Sequence, residues 1–288
     1  MRPENSTTPY LRMNGIGNAI LVLDRRRSSA PVDAAMACAL NAAPRLAFDQ
    51  LMVIEAPRHD KTAAFVEIFN NDGSRSAACG NGTRCVAFAL LRGHSEAEIS
   101  VETEAGVLAC WREGPTQFRV DMGAPRFTWQ DIPLREPVPD TASVLLEGFP
   151  HLPAAALLSM GNPHAVFFVD AALQARLPEW GAALEQHRLF PERANISFAV
   201  VEAPDRIRLR VWERGAGLTL ACGSAACATM VAAARAGLTG RAAQVHLPGG
   251  VLDMAWRAED GHVLMAGAVE LEHEGRLDLG EFAVAGHA

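Results

Sequence analysis

The chain has 288 residues, of which 49% are hydrophobic and 20% are charged, and its formal net charge at pH 7 is −7. This length predicts one large or two medium domains with a sizeable core. The acidic balance argues against a nucleic-acid-binding protein, and no apolar run approaches the roughly 20 residues of a membrane span. Because the segment from Met1 to Arg12 lacks the apolar stretch of a signal peptide, we expect a cytoplasmic protein.

Short strand-like runs alternate with helix-like runs along the chain. The clearest strand pattern is at 207–211, where apolar and arginine residues alternate. In chain order, the strand candidates are 20–23, 64–69, 99–101, 118–121, 165–169, 196–200, 207–211 and 262–265. The helix candidates are 32–42, 80–91, 173–187 and 224–236. Gly93 and Gly237 follow two of these helices, in the position where glycine commonly ends a helix.

A proline-rich segment at 125–139 separates the two halves of the chain. Proline disfavours both regular helix and central strand, so this segment predicts a crossing between domains. We predict an N-terminal domain of residues 1–123 plus 272–288 and a C-terminal domain of residues 124–271. The first carries Cys79 and the second carries Cys222.

A cysteine turn occurs once in each half. The copies read Ala78-Cys79-Gly80-Asn81 and Ala221-Cys222-Gly223-Ser224, with the two cysteines 143 residues apart. Each copy precedes a helix candidate. Asn70 and Glu213 stand nine residues before their cysteines, and a glycine-bearing turn lies in each interval. This similarity at half-chain scale indicates a duplication.

The setting of these two cysteines favours acid/base chemistry. The positive end of the helix macrodipole can lower the pKa of a thiol from its free value of about 8.5. We therefore expect a thiolate that can act as a general base. The free N–H groups at a helix start can bind a carboxylate, and Gly80 and Gly223 leave room for its approach. Two thiols in matching settings suit removal of a proton from one face of a carbon and its return to the other.

The sequence predicts neither a cofactor nor a bound metal. Lys61, the only lysine, lies in a loop-like segment and is a poor candidate for a pyridoxal-phosphate Schiff base. Neither a dinucleotide fingerprint nor a phosphate loop is present. Cys85 and Cys227 lack zinc-site spacing from Cys79 and Cys222. Together with Cys38 and Cys110, they are interpreted as core residues.

The chain resembles diaminopimelate epimerases over nearly its whole length. The motifs that carry the resemblance, in chain order, are Met13-Asn14-Gly15-Ile16-Gly17-Asn18, Phe48-Asp49-Gln50, Phe69-Asn70-Asn71-Asp72-Gly73-Ser74, Ala78-Cys79-Gly80-Asn81-Gly82-Thr83-Arg84-Cys85, Gly161-Asn162-Pro163-His164, Asn195, Glu213-Arg214-Gly215-Ala216-Gly217 and Ala221-Cys222-Gly223-Ser224. Proline racemases and hydroxyproline epimerases share the Cys-Gly turn, so the turn alone does not separate the families. The full ordered set is specific.

The resemblance implies interconversion of LL- and meso-diaminopimelate without a cofactor, in lysine biosynthesis. It assigns Cys79 and Cys222 as the acid/base pair, and His164 and Glu213 as residues that support catalysis. The implied substrate contacts are Asn18, Gln50, Asn70, Gly80, Asn81, Asn162, Asn195, Glu213, Arg214, Gly223 and Ser224. These residue types suit the substrate, because an arginine fork can clamp the distant carboxylate and uncharged amides can both donate and accept.

The resemblance and the duplicated pattern together imply an α/β fold of two pseudo-symmetric domains. Each would be a curved, mostly antiparallel sheet around a helix that begins at its Cys-Gly turn. The active site would lie in a cleft that closes on the substrate. A homodimer is compatible with the resemblance. Two alternatives stay open: a racemase or epimerase of proline or hydroxyproline, and a non-catalytic amino-acid-binding or thiol redox protein.

The chain departs from the family pattern at four places. Ala19-Ile20 stands where many members have Asp-Phe, and Leu218 stands where glutamate is common. Ala225 replaces a glycine at the second helix start. His273 lies roughly where some members have a dimer-contact tyrosine. None of these changes removes a proposed catalytic group.

Overall fold

A computed structural model describes residues 7–28 and 31–283. Residues 1–6, 29–30 and 284–288 lie outside the described part. The part outside the description includes residues 1–6 of the segment Met1 to Arg12, for which no signal peptide is expected. It also includes the first and the last residues of the predicted N-terminal domain. The chain divides into two compact units, Met1–Val120 with Gly267–Ala288 and Asp121–Ala266. The domain limits inferred from the sequence, after residues 123 and 271, stay a prediction.

The elements follow one another in two similar series. The strands are β1 Thr7–Asn14, β2 Ala19–Asp24, β3 Gln50–Glu55, β4 Ala64–Asn70, β5 Glu98–Thr103, β6 Gly106–Arg112, β7 Gln117–Asp121, β8 Ala156–Ser159, β9 Pro163–Phe168, β10 Asn195–Ala203, β11 Arg206–Glu213, β12 Gly217–Thr219, β13 Ala242–Leu247, β14 Gly250–Trp256, β15 Val263–Ala268 and β16 Glu270–Asp278. The helices are α1 Ala34–Ala42, α2 Gly80–Leu91, α3 Ala171–Ala175, α4 Leu177–Glu185 and α5 Gly223–Arg235. Among the helices of the described residues, none combines the length and apolar character needed to span a bilayer.

The first unit is a mostly antiparallel sheet in the order β16-β1-β2-β3-β4-β5-β6-β7. Only β2 with β3 and β4 with β5 run parallel. The last strand, β16, returns to pair with β1. Helix α2 contacts β1, β2, β3, β5 and β6, so the sheet curves around it.

The second unit repeats this pattern in the order β15-β14-β13-β11-β10-β9-β8, with the short β12 paired to β11. Its parallel pairs, β9 with β10 and β11 with β13, stand at the positions equivalent to those of the first unit. Helix α5 contacts strands from β8 to β14, as α2 does in its own sheet. The predicted fold class is therefore confirmed: two pseudo-symmetric α/β domains, each with a mostly antiparallel sheet around a central helix.

Strand β3 shows why these sheets form from continuous apolar runs. Leu51 and Val53 belong to the hydrophobic cluster that includes Met36 and Leu40 of α1. The next residue on the opposite face, Met52, packs against α2, where a Cβ added to Gly82 would lie 2.4 Å from its sulfur. Helices thus cover both faces of the strand. A strand buried on both faces is apolar at successive positions and does not alternate between apolar and polar residues.

The single helix predicted at 173–187 is wrong. The chain forms α3 and α4, which meet at Arg176. Pro178 lies in the first turn of α4, where its missing N–H costs no hydrogen bond. A helix continuing unbroken from 171 would have needed that N–H, so the proline starts a new helix.

Helix α4 packs closely on β11, and this contact leads to a stability prediction. A Cβ at Gly181 would lie 2.3 Å from Cδ2 of the Trp212 indole. Because the ring is rigid, we expect Gly181→Ala to lower the free energy of unfolding by about 1–3 kcal/mol, the usual cost of overpacking. Urea denaturation measures this change. The matched control is Gly240→Ala, since nothing lies within 4 Å of that added Cβ. Equal denaturation midpoints for the two variants would contradict the prediction.

Candidate active site

Cys79 is the N-terminal capping residue of α2. Its backbone is extended, with φ −147° and ψ 102°, and its Sγ accepts a hydrogen bond from the Gly82 N–H at 3.2 Å. The turn after β4 depends on Gly73, which has φ +82° and whose added Cβ would lie 2.6 Å from the Ala34 carbonyl oxygen. The chain therefore places a buried thiol at the start of the central helix, as the sequence predicts.

Three amide side chains stand in a row beside Cys79. Asn18 precedes β2, Gln50 begins β3 and Asn70 ends β4, so the pairing of these strands brings the three residues to one edge of the sheet. Asn18 Nδ2 donates to Gln50 Oε1 at 3.1 Å, and Gln50 Nε2 donates to Asn70 Oδ1 at 3.4 Å. Cys79 Sγ donates to the same Gln50 Oε1 at 2.8 Å. The structure thus unites four residues that the sequence had singled out.

Asn81 is placed differently. Its side chain is 2% exposed, and its Oδ1 accepts from Arg84 Nη2 at 3.1 Å. The amide is thus engaged within α2 and is not part of the row beside Cys79. The substrate contacts predicted for Asn81 and Gly80 stay predictions, and the backbone N–H groups at the start of α2 are the atoms best suited to make them.

Cys222 occupies the equivalent position at the start of α5. Its backbone is extended, with φ −134° and ψ 111°, and its Sγ lies 3.5 Å from the Ser224 hydroxyl. Burial raises the pKa of this thiol well above its usual value, and the nearby Glu213 carboxylate raises it further. The Ser224 hydroxyl and the Ala225 N–H act in the opposite direction but are the weaker influences. Cys222 therefore carries its proton at neutral pH.

For Cys222, the expectation of a lowered pKa at a helix N-terminus is wrong in this structure. The Ala225 N–H at the helix start lowers the pKa, but the burial of the thiol and its carboxylate neighbour outweigh this influence. Desolvation disfavours the charged form of a thiol, and a like charge nearby does the same. Both influences depend on tertiary packing around the helix start.

The influence of Glu213 on Cys222 can be measured. We expect Glu213→Gln to lower the pKa of the Cys222 thiol and to speed its alkylation by iodoacetamide at pH 8 by about 3–10-fold, because a negative neighbour is lost. Peptide mass spectrometry gives the rate. Cys38 is the reference thiol in the same sample, because it is exposed, and its interpretation as a core residue is wrong. Glu202→Gln on β10 is the matched control. A slower or unchanged rate at Cys222 would contradict the assigned effect of the carboxylate.

His164 lies on β9 with no exposed surface. Its Nε2 is 2.8 Å from Asn162 Oδ1, and Asn162 Nδ2 donates to Ser224 Oγ at 3.3 Å. Burial, and secondarily the charge of Arg214, lower the pKa of His164 to about 3. The imidazole is thus neutral, with its proton on Nε2, and it fixes the orientation of the Asn162 amide. The catalytic role implied by the resemblance stays a prediction, and this contact is the means by which His164 could fulfil it.

Asn195 and Arg214 form a second group in this unit. Asn195 Nδ2 donates to the Pro163 carbonyl at 3.1 Å, and its Oδ1 accepts from the Arg214 N–H at 3.0 Å. The amide therefore holds two backbone segments together. The Arg214 guanidinium is exposed and is steadied by a 3.2 Å bond from Nη1 to the Glu192 carbonyl. It thereby leaves other donors for a ligand.

Two supporting residues were missed in the sequence. Thr219 Oγ1 donates to Glu213 Oε1 at 2.6 Å. Glu185 is 5% exposed and accepts from the Gly215 N–H and from Trp212 Nε1, both at 2.8 Å. The glycine-rich turn after Glu213 predicts a hairpin, which could have placed Thr219 on the strand paired with that of Glu213, two residues beyond the position opposite the carboxylate. No local signal identifies Glu185, because its partners are distant in the sequence.

One cluster of possible metal ligands lies elsewhere in the described residues of the second unit. It consists of Asp121, Asp260 and His262. Arg257 Nη2 already bridges the two carboxylates, at 2.5 Å from Asp121 and 2.6 Å from Asp260. The guanidinium supplies the positive charge that this cluster needs, so its chemistry is that of an ion pair.

The two units place their polar residues at four equivalent positions. These are the residue before the second strand, the first residue of the third strand, the last residue of the fourth strand and the helix cap. In the first unit they hold Asn18, Gln50, Asn70 and Cys79, and in the second they hold Asn162, Asn195, Glu213 and Cys222. The main chemical difference is one charge, since a carboxylate in the second unit replaces an amide in the first.

The family model described as diaminopimelate epimerase matches residues 10–128 and 156–272. Among curated proteins, the diaminopimelate epimerase of Methylocella silvestris is 54% identical over 279 residues, covering 96% of each chain. That of Methylobacterium sp. strain 4-46 is 55% identical over 285 residues, covering 96% of this chain and 97% of the relative. Both alignments extend across the two cysteine turns.

Solved structures share the fold at low sequence identity. A predicted epimerase from Pseudomonas aeruginosa has a TM-score of 0.70 at 21% identity, covering 94% of this chain and 99% of that one. A hydroxyproline epimerase from Agrobacterium vitis, with bound trans-4-hydroxy-L-proline, has a TM-score of 0.64 at 15% identity, covering 94% and 91%. These likenesses establish the architecture alone. The family match and the identities to curated relatives go further, and on them the chain belongs to the diaminopimelate epimerase family.

Proposed function

We propose that this chain interconverts LL- and meso-diaminopimelate without a cofactor, as a step of lysine biosynthesis, with Cys79 and Cys222 as its acid/base pair. The observation that carries the proposal is the repeated helix cap. In a chain of this family, both units start their central helix at a buried cysteine whose neighbours are polar. A pair of acid/base groups in matching settings suits a reaction that inverts one carbon.

In the proposed reaction, one cysteine as thiolate takes the α-proton, and the electron pair left on the carbon delocalises into the α-carboxylate. The other cysteine, as thiol, gives its proton to the opposite face. Atoms and charge balance, and the two sulfurs end with their roles exchanged. Free N–H groups at the starts of α2 and α5 are suited to stabilise the charge that develops on the carboxylate.

The second half of the substrate does not react, and Arg214 is the residue best suited to hold it. Its planar fork matches a carboxylate, and its contacts to Asn195 and Glu192 limit its freedom before binding. Proline and hydroxyproline have no distant carboxylate for this group. A homodimer and a cytoplasmic location, both expected from the sequence, stay predictions.

Isotope exchange tests the proposal. LL-diaminopimelate is incubated with the purified protein in D₂O, and the isomers are separated and weighed by mass spectrometry. We expect early product to carry one deuterium while the recovered substrate carries little, because a different group returns the proton. Proline and trans-4-hydroxyproline are tested in parallel. Exchange confined to these imino acids, or ligand binding and reversible thiol oxidation without exchange, would overturn the proposal.

A further inference from the structure

Gln50 presents its side-chain oxygen to Cys79. The 2.8 Å contact between Sγ and Oε1 has the thiol as donor and the carbonyl as acceptor. A thiolate has no hydrogen to donate and would face the lone pairs of that oxygen. The contact with Gln50 therefore fits the protonated form of Cys79, whereas the Gly82 N–H, at 3.2 Å, can donate to the sulfur in either form.

The proposed reaction needs Cys79 in both forms, because the two sulfurs exchange roles at each turnover. Cys222 already has a partner that suits either form. The Ser224 hydroxyl lies 3.5 Å from its sulfur, and either atom can be the donor. The side chain that faces Cys79 must likewise be able to accept a hydrogen bond from the thiol and to donate one to the thiolate.

We propose that Gln50 is this reversible partner, and that its amide turns by about 180° when Cys79 loses its proton. Nε2 then donates to the thiolate, and an S–H···O bond is exchanged for an N–H···S bond. The oxygen and nitrogen of an amide are nearly equal in size, so the turn leaves the packing unchanged. The inference rests on the proposed function, which supplies the need for two protonation states.

The neighbour on one side, Asn18, can follow such a turn. Asn18 Oδ1 is buried and has no hydrogen-bond partner among the described residues, while Asn18 Nδ2 donates to Gln50 Oε1. If both amides turn, the two hydrogens on Gln50 Nε2 reach Cys79 Sγ and Asn18 Oδ1. The bond between Asn18 and Gln50 is thereby kept with donor and acceptor exchanged, and the polar atom of Asn18 without a partner changes from Oδ1 to Nδ2.

The neighbours on the other side can follow the turn. The bond from Gln50 Nε2 to Asn70 is long, at 3.4 Å, and Asn70 Nδ2 donates to Ser74 Oγ at 2.9 Å. When Asn70 turns with Gln50, the Ser74 hydroxyl can move from Asp72, its present acceptor at 2.6 Å, to Asn70 Oδ1. Asp72 keeps the Ser74 N–H, at 2.9 Å. Every member of the row has an acceptable partner in both states.

The equivalent residue of the other unit differs in this respect. Both ends of the Asn195 amide are bound by backbone groups, the Pro163 carbonyl and the Arg214 N–H. A turn of this amide would place its oxygen against the Pro163 carbonyl oxygen and its nitrogen against the Arg214 N–H. The Asn195 amide therefore has a single orientation. The reversible row is therefore a property of the first unit.

The test is the pH profile of alkylation of Cys79 by iodoacetamide, followed by peptide mass spectrometry in the full-length protein. Gln50→Met removes both the donor and the acceptor at similar length. If Gln50 turns and stabilises the thiolate, this change lowers the thiolate fraction, and we expect alkylation at pH 7.5 to slow by about 3–10-fold. If Gln50 only ever accepts from the thiol, the same change favours the thiolate, and alkylation becomes faster.

Faster or unchanged alkylation in Gln50→Met overturns the proposal. Gln50→Glu, which keeps the shape and can only accept, should slow alkylation of Cys79 and shows that the position influences the sulfur; no effect there also counts against the proposal. Gln244→Met, on the exposed side of β13, is the matched control, and Cys38 is the reference thiol in each sample. Because the readout is alkylation of the free protein, its sign is independent of whether diaminopimelate is turned over.

Discussion

Replacing either Cys79 or Cys222 with alanine is expected to reduce epimerisation of diaminopimelate by at least about 10³-fold in both directions. Removal of a positioned general acid or base typically costs 10²–10⁴-fold, and in each unit the cysteine is the residue proposed to transfer the proton. Microscopic reversibility extends the loss to both isomers, since each cysteine is base in one direction and acid in the other. The rates are measured by chiral separation of the isomers.

The single variants should differ from each other in isotope exchange. In Cys79→Ala, the remaining thiol can still remove and return a proton on its own face, so one isomer slowly gains deuterium without inverting. In Cys222→Ala, the remaining thiol is Cys79, and the other isomer gains deuterium without inverting. Cys38→Ala is the matched control, because that cysteine is exposed on α1 and should leave turnover within about twofold. Epimerisation within tenfold of the parent in either active-site variant would sink the two-thiol scheme.

The starts of the central helices could be predicted because their signals are local. A capping residue, a glycine and a helix-forming run lie within a few positions of one another, and they place α2 at the predicted residues and α5 one residue earlier than predicted. Gly93 also follows the end of α2 closely. Such signals depend on backbone geometry within a single turn, and distant parts of the chain do not change them.

The family resemblance assigns residues 272–288 to the first domain, but the residues of β16 give no local strand signal of their own. Its nine residues, ELEHEGRLD, are mostly polar and give no buried face. They nevertheless form a strand, because β1 offers an unpaired edge. Strand β3 was also not predicted, although its apolar run resembles that at 20–23, because such a run does not by itself distinguish a buried strand from a buried helix. Both strands exist through pairing with distant segments, which no local pattern encodes.

The candidate site divides in the same way. The repeated motif predicts Cys79 and Asn70 as site residues, and the family resemblance adds Asn18 and Gln50. The structure brings these four together as a row. The pKa values of the site residues did not follow from the sequence. The raised pKa of Cys222 results from its enclosure and from Glu213, and enclosure is a property of the folded unit. Residue types therefore predicted the participants, while burial determines which of them are charged.

Replacing Arg214 with methionine is expected to lower kcat/KM for diaminopimelate by about 30–100-fold, mostly through KM. A charged hydrogen bond contributes roughly 1.5–3 kcal/mol, and the group binds the end of the substrate that does not react. The kcat/KM of Arg214→Lys should lie between those of the parent and Arg214→Met, because lysine keeps the charge but loses the planar fork. Arg188→Met is the matched control, since that exposed arginine pairs with Glu147 on the surface. Equal KM values for the parent and Arg214→Met would contradict the clamp.

The same variant separates the role of Arg214 as a clamp from its influence on His164. The positive charge of Arg214 helps to lower the pKa of His164, but burial is the larger cause. Without Arg214 that pKa should rise, yet the desolvation that remains keeps the imidazole neutral above about pH 6. The pH profile of kcat between 6 and 8 should therefore keep its shape while KM rises. A new ionisation in that range would mean that the loss of activity comes from a charged His164 that no longer orients Asn162.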